Sequence, residues 1–194
     1  SSPMPSLSCH EPPQPPSAWV RRFSPLVPAG APVLDVACGR GRHLHWFAAR
    51  GHPVIGVDRD GEALAAVQGV GELIEADIES GPWPLAGRRF GAVVVTNYLW
   101  RPLLPTVVAS VAAGGVLIYE TFALGNASVG KPANPDFLLR PGELLHACAA
   151  LHVVAYEDGF LADPARFVQR IAAVRLADGE PGANPPPRYP LAAG

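Results

Sequence analysis

Asp35, Gly39 and Gly41 stand within the run Val-Leu-Asp-Val-Ala-Cys-Gly-Arg-Gly-Arg-His at residues 33–43. An apolar strand leads into the carboxylate and then into a tight turn with the two glycines. A helical pattern follows at once, with Leu44, Trp46, Phe47, Ala48 and Ala49. Glycines at a strand-to-helix turn let a ligand lie against bare backbone and against the start of the helix, so this turn predicts a nucleotide-like ligand. Asp58 ends the next apolar run, 19 residues after Gly39. A carboxylate placed there can accept both hydroxyls of a ribose. A dinucleotide motif would carry its third glycine at position 44, where a pyrophosphate site needs close helix–strand packing. This chain has Leu44 there, which argues against NAD and for a ligand without phosphate.

The elements that must hold these residues can be read from pattern. A short helix is expected over Ser17–Leu26, then a strand over Pro32–Ala37 and a helix over Gly41–Arg50. Val54–Asp58, Glu72–Ala76, Phe90–Thr96 and Gly115–Phe122 read as strands, with helices over Gly61–Gln68 and Leu103–Ala113 between them. Continuous Val/Ile/Leu runs joined by helices predict a parallel sheet covered on both faces, and right-handed crossovers make it doubly wound. The pattern changes after residue 140. A helix over Pro141–Ala150 precedes two strands, Leu151–Tyr156 and Phe167–Leu176, and residues 157–166 hold no helix of useful length. Strands joined without a crossover helix must be antiparallel. The expected fold is therefore α/β, a doubly wound and mostly parallel seven-stranded sheet ending in an antiparallel hairpin.

Prolines crowd residues 1–16 and 177–194, so both ends read as Pro-rich tails around one domain at 17–176. Each tail is either passive or a ligand for a proline-binding partner. With 48% hydrophobic and 16% charged residues the chain has ample core for that domain. A net charge of −2 gives no electrostatic case for nucleic acid. No apolar run approaches the roughly 20 residues of a membrane helix. Three scattered cysteines (Cys9, Cys38, Cys148) and no basic-then-apolar leader predict a reduced, cytoplasmic protein. The histidines lack the compact spacing of a zinc site, so no metal is expected.

The ordered set Asp35…Gly39-Arg-Gly41, Val57-Asp58, Ala76-Asp77-Ile78, Asn97-Tyr98, Gly114-Gly115 and the closing hairpin resembles the class I S-adenosylmethionine-dependent methyltransferases. The resemblance covers residues 17–176, and the turn itself is most similar to small stand-alone enzymes of the tellurite-resistance type. It implies a Rossmann-like methyltransferase fold with S-adenosylmethionine as cofactor. Asp58 would hold the ribose, with Arg59 beside it. Asp77 would meet the adenine amino group, with Ile78 along the ring. Asp35, Ala37, Cys38, Gly39, Gly41, His43 and Asn97 would complete the cofactor site, with Asp35 accepting backbone amides or the methionine amino group. Arg40 or Arg42 either pairs with the cofactor carboxylate or is simply solvated. The family usually has glycine where this chain has Ala37, and alanine there should be extended.

Nucleic-acid and glutamine methyltransferases often carry Asn/Asp-Pro-Pro-aromatic after the fourth strand, whereas this chain has Asn97-Tyr98-Leu99-Trp100. A small-molecule acceptor is therefore expected, with RNA or protein as the alternative substrate and an inactive binding module as the alternative class. Glu120 is the candidate base and Tyr98 the candidate for shaping the methyl-transfer position, against capping and core roles respectively. Residues 123–141 are read as a lid over the acceptor, with Asn126 and Lys131 as possible contacts. The oligomeric state is left open.

Overall fold

The computed structural model describes residues 14–177 and 185–191. The first tail, with Cys9 and His10, falls almost wholly outside those residues.

Seven strands form one sheet in the order β3-β2-β1-β4-β5-β7-β6. They are β1 Val33–Val36, β2 Val54–Asp58, β3 Glu72–Glu75, β4 Phe90–Thr96, β5 Val111–Phe122, β6 His152–Ala162 and β7 Ala165–Val174. β1 to β5 pair in parallel, and β7 runs antiparallel to both β5 and β6. The mostly parallel sheet with an antiparallel end is the expected one.

Alternate residues of each strand face opposite sides, and each side has its own core. Leu34, Val36, Val93, Val95, Leu117 and Tyr119 lie with helices α4 (Leu104–Ala109) and α5 (Glu143–Ala147) on the first face. Val33, Ala92, Val94, Val116 and Ile118 lie on the second face. That face is covered by α1 (Ala18–Phe23), α2 (Arg42–Ala48) and α3 (Gly61–Ala65). Trp19 of α1 is fully buried there and donates its ring N–H to the Ile171 carbonyl at 3.1 Å.

Two expectations are corrected. The helix expected over Leu103–Ala113 ends at Ala109, because Val111–Ala113 already belong to β5. A β-bulge shifts the register there, from Phe90 opposite Val111 to Ala92 opposite Val116. The Arg175 guanidinium closes the junction by donating to the Val108 and Val111 carbonyls at 2.8 Å each. Residues 157–166 are not an irregular connection either. β6 and β7 pair out to Ala162 and Ala165, so Pro164 sits in the turn itself. Gly159 lies in the edge strand β6, where only one side is paired.

Part of the C-terminal tail packs on the domain. The Tyr189 ring lies 5.4 Å from that of His152, and Arg22 of α1 donates to the Leu191 carbonyl at 2.9 and 3.1 Å.

Candidate active site

The backbone after β1 turns through three left-handed residues, Ala37 at φ +55°, Gly39 at +56° and Gly41 at +78°. Ala37 is thus not extended as expected. The turn is tight enough to demand the left-handed region, and alanine adopts it at a cost of about 1–2 kcal/mol. Gly41 has a further reason to be glycine, since a Cβ there would stand 2.8 Å from Val67 Cγ1.

Asp58 ties this turn to β2. One carboxylate oxygen accepts from the Gly39 N–H and the other from the Asp60 N–H, both at 2.8 Å. Asp77 organises the next turn in the same way. It accepts from the Glu79 N–H at 3.0 Å, the Ser80 N–H at 3.2 Å and the Ser80 hydroxyl at 2.6 Å. Those bonds, the Ser80 hydroxyl first, hold its carboxyl below the usual carboxylate range.

Between the two acids lies a cavity of about 180 Å³, lined by Ala37, Asp58, Arg59, Ala76, Asp77, Ile78, Glu79 and Tyr98. It opens at the carboxyl ends of β1 to β4, where parallel sheets bind ligands. Ala76 enters from the Ala76-Asp77-Ile78 motif, whereas Glu79, two residues after Asp77, is not among the residues expected at the site. Tyr98 forms part of this cavity wall. Its hydroxyl is buried and faces the Glu79 carboxylate without a well-formed hydrogen bond. Burial, followed by the negative charge of Glu79, pushes that phenol above its usual range.

Asp35 and His43 lie beneath the turn. Asp35 is buried, and among the described residues neither of its oxygens has a hydrogen-bond partner. Burial pushes it up to about 8, against the lowering effect of Arg42. His43 is also buried rather than set at the mouth of the site. Its Nε2 accepts from the Ser17 N–H at 3.1 Å, and its Nδ1 stands 3.9 Å from Asp35. Burial holds it down to about 3, so the ring is neutral and the pair is not an ion pair. Cys38 is a buried thiol pushed up by burial and by the nearby Asp35 and Asp58 carboxylates.

Glu120 and Tyr98 are not brought together. Tyr98 packs against the first-face core. Glu120 pairs at 3.0 Å with Arg170, which also binds Glu157 and lies 4.8 Å above the Trp19 ring on the second face. Asn97 takes φ +54° at the end of β4, is exposed, and donates its backbone N–H to the Glu120 carbonyl at 2.9 Å. Arg40 is exposed.

The segment expected to be a lid is pinned. Asn126 is buried, donating to the Pro132 carbonyl and accepting from the Phe167 N–H, each at 3.0 Å. Buried in this way, its amide is not presented to a substrate, whereas Lys131 is exposed. Arg101 donates to the Asp136 and Leu138 carbonyls and to both Glu143 oxygens. Gln169 joins Leu144 N–H to the Arg140 carbonyl. Among the described residues no cluster of His, Cys, Asp or Glu could hold a metal ion, and no helix is long and apolar enough to cross a membrane.

Residues 33–114, from β1 to the start of β5, match the family model described as a methyltransferase domain. The segment that matches spans less than half of the chain, and the fold around it is that of S-adenosylmethionine-dependent methyltransferases of known structure. It is similar to TehB from Haemophilus influenzae, with 18% identity and a TM-score of 0.61, over 76% of this chain and 58% of that one. The chain thus spans little more than half the length of that structure. A TehB-like methyltransferase from Corynebacterium glutamicum shows 17% identity and a TM-score of 0.59, over 80% of this chain and 86% of that one. The glycopeptide N-methyltransferase MtfA, in complex with S-adenosylhomocysteine, shows 20% identity and a TM-score of 0.55, over 80% and 88%. At these identities the likeness is one of fold. No curated protein matches the chain in sequence.

Proposed function

We propose that the chain transfers the methyl group of S-adenosylmethionine to a small-molecule acceptor in the cytoplasm. The observation that carries the cofactor's placement is the cavity between Asp58 and Asp77, and the buried, unpartnered Asp35 lies two residues before its lining residue Ala37. Asp58 keeps lone pairs beyond its two backbone bonds and takes the ribose hydroxyls. Ile78 and Tyr98 wall the adenine, with Asp77 and Glu79 at its rim. Asp35 receives the ammonium end, because a buried carboxylate without a partner is stabilised most by a cation brought to it. Asn97 borders the sulfur side. A small acceptor is supported by the acidic net charge and by a segment 123–141 fastened in place.

The bound cofactor supplies an electrophilic methyl on a sulfonium whose charge disperses as the methyl leaves. A strongly anionic wall at sulfur would stabilise the ground state more than the transition state. The chain's contribution is therefore to hold donor and acceptor in line and to exclude water. Glu120 serves here as scaffold, since taking a proton would break its pair with Arg170.

Calorimetry with S-adenosylmethionine and S-adenosylhomocysteine tests the cofactor site, and absence of binding at millimolar ligand overturns it. Screening acceptors for release of S-adenosylhomocysteine tests the substrate class. Turnover confined to RNA or protein would reject the small-molecule assignment.

A further inference from the structure

Three groups from distant parts of the sequence meet beneath the glycine turn. The Ser17 N–H, at the start of α1, donates to His43 Nε2 at 3.1 Å. Because Nε2 accepts, the proton of the neutral ring sits on Nδ1. That Nδ1–H lies 3.9 Å from an Asp35 oxygen that has no partner of its own among the described residues. Both side chains are nine-tenths buried or more. The other charged or titratable groups facing Asp35 are Arg42 from α2, Asp58 from β2 and Cys38 from the turn. Arg42 favours the ionised carboxylate and Asp58 opposes it.

We propose that His43 is a positioning residue: the Ser17 N–H fixes its tautomer, and its Nδ1–H secures the Asp35 carboxylate that receives the ammonium end of the cofactor. The inference rests on the cofactor reading above and adds a coupling between α1 and the cofactor site. The distance of 3.9 Å is too long for a hydrogen bond, so the contact closes when Asp35 ionises against the ammonium group. Binding then releases one proton from Asp35, and affinity rises with pH between 6 and 8. His43 is neutral over that range and takes up no proton. A donor facing the carboxylate lowers the pH at which this happens. The same ring also ties the first turn of α1 to the glycine turn.

The test is calorimetric titration of S-adenosylhomocysteine into the wild-type protein and into His43→Gln, His43→Asn, Ser17→Pro and Ser17→Ala at pH 6, 7 and 8. Glutamine reproduces the Nε2 acceptor but not the Nδ1 donor, and asparagine does the reverse. Ser17 has φ −59°, which proline adopts, so Ser17→Pro deletes the N–H. Ser17→Ala controls for the lost hydroxyl cap on Val20. His43→Gln is expected to bind about tenfold more weakly or worse at pH 7 and to recover as pH rises. His43→Asn should stay within about threefold of wild type, on the same principle that its donor is kept. Ser17→Pro should bind more weakly than Ser17→Ala. If His43→Gln matches wild type in affinity and pH slope, the inference is wrong. It is equally wrong if His43→Asn is as weak as His43→Gln, which would mean only that the ring packs, or if Ser17→Pro equals Ser17→Ala. Absence of binding by the wild-type protein itself removes the cofactor reading, a result distinct from all of these.

Discussion

Leu44 fills the space that Gly56 leaves open. A Cβ on Gly56 would stand 2.7 Å from Leu44 Cδ1 and 2.9 Å from Cys38 Sγ. In a dinucleotide motif the helix after the turn supplies the glycine for close approach to the sheet. Here the glycine is on β2, and the helix presents a fully buried leucine to it. Gly56→Ala is therefore expected to destabilise the fold by about 1–3 kcal/mol, the usual cost of overpacking a core. Urea denaturation followed by circular dichroism measures it, and a midpoint equal to wild type contradicts the packing described.

Ala37 supports a change in the opposite direction. Its φ of +55° strains an alanine, whereas glycine takes that conformation freely. Ala37→Gly relieves about 1–2 kcal/mol of strain but loosens the unfolded chain by about 0.4–1 kcal/mol. The net expectation is a gain of about 0.5–1 kcal/mol, read from the same urea midpoints.

Asp35 gives a pH-dependent prediction. Its carboxyl lies at about 8 in the folded protein against 3.8 for an ordinary aspartate. The folded state therefore binds the extra proton between these values, so this group's contribution to stability is full below 3.8 and is lost as pH rises through about 8. His43 acts in the other direction, with stability present above 6.5 and lost as pH falls toward about 3. Asp35→Asn removes only the first effect. Thermal melts should show the variant close to wild type near pH 4 and more stable at pH 8 by roughly 1–3 kcal/mol. A difference that shrinks as pH rises would mean that the carboxyl is not held protonated by burial.

The 123–141 segment shows why part of this architecture could not be read in advance. Its length and glycines read as a lid, but what fastens it is Asn126 bonded to Phe167, 41 residues away, and Gln169 bonded to Arg140, 29 residues away. Such pairings have no local signature. β1 to β4 were legible because their apolar runs and terminal acids are local. The start of β5 was missed because Val111–Ala113 continue a helical pattern and join the sheet only through the bulge opposite Phe90–Ala92. The cavity wall follows the same division: Asp58 came from its strand-end position and Asp77 and Ile78 from the resemblance, while the placement of Tyr98 depends on how the chain turns after β4.

Asn126→Ala tests the pinning. It leaves the Phe167 N–H and the Pro132 carbonyl without their partner, at a cost of about 1–3 kcal/mol for buried groups. Hydrogen exchange should locate the loss at residues 123–141 and at the start of β7. Unchanged exchange there would show that the segment moves freely.

Tyr98 separates stability from binding most cleanly. Its hydroxyl is buried and faces the Glu79 carboxylate, so Tyr98→Phe removes a desolvated polar group and gives up only a weak contact to Glu79. Stability should be unchanged or rise by up to about 1 kcal/mol. If the hydroxyl meets the ligand's polar edge in the cavity, S-adenosylhomocysteine should bind about three- to tenfold more weakly, as for loss of one neutral hydrogen bond. Tyr98→Ala opens the wall and should cost more in affinity than Tyr98→Phe. Calorimetry on both variants beside wild type decides it. Equal affinity for Tyr98→Phe with loss in Tyr98→Ala keeps the ring as a wall and removes the hydroxyl from recognition. Equal affinity in both places the adenine away from Tyr98.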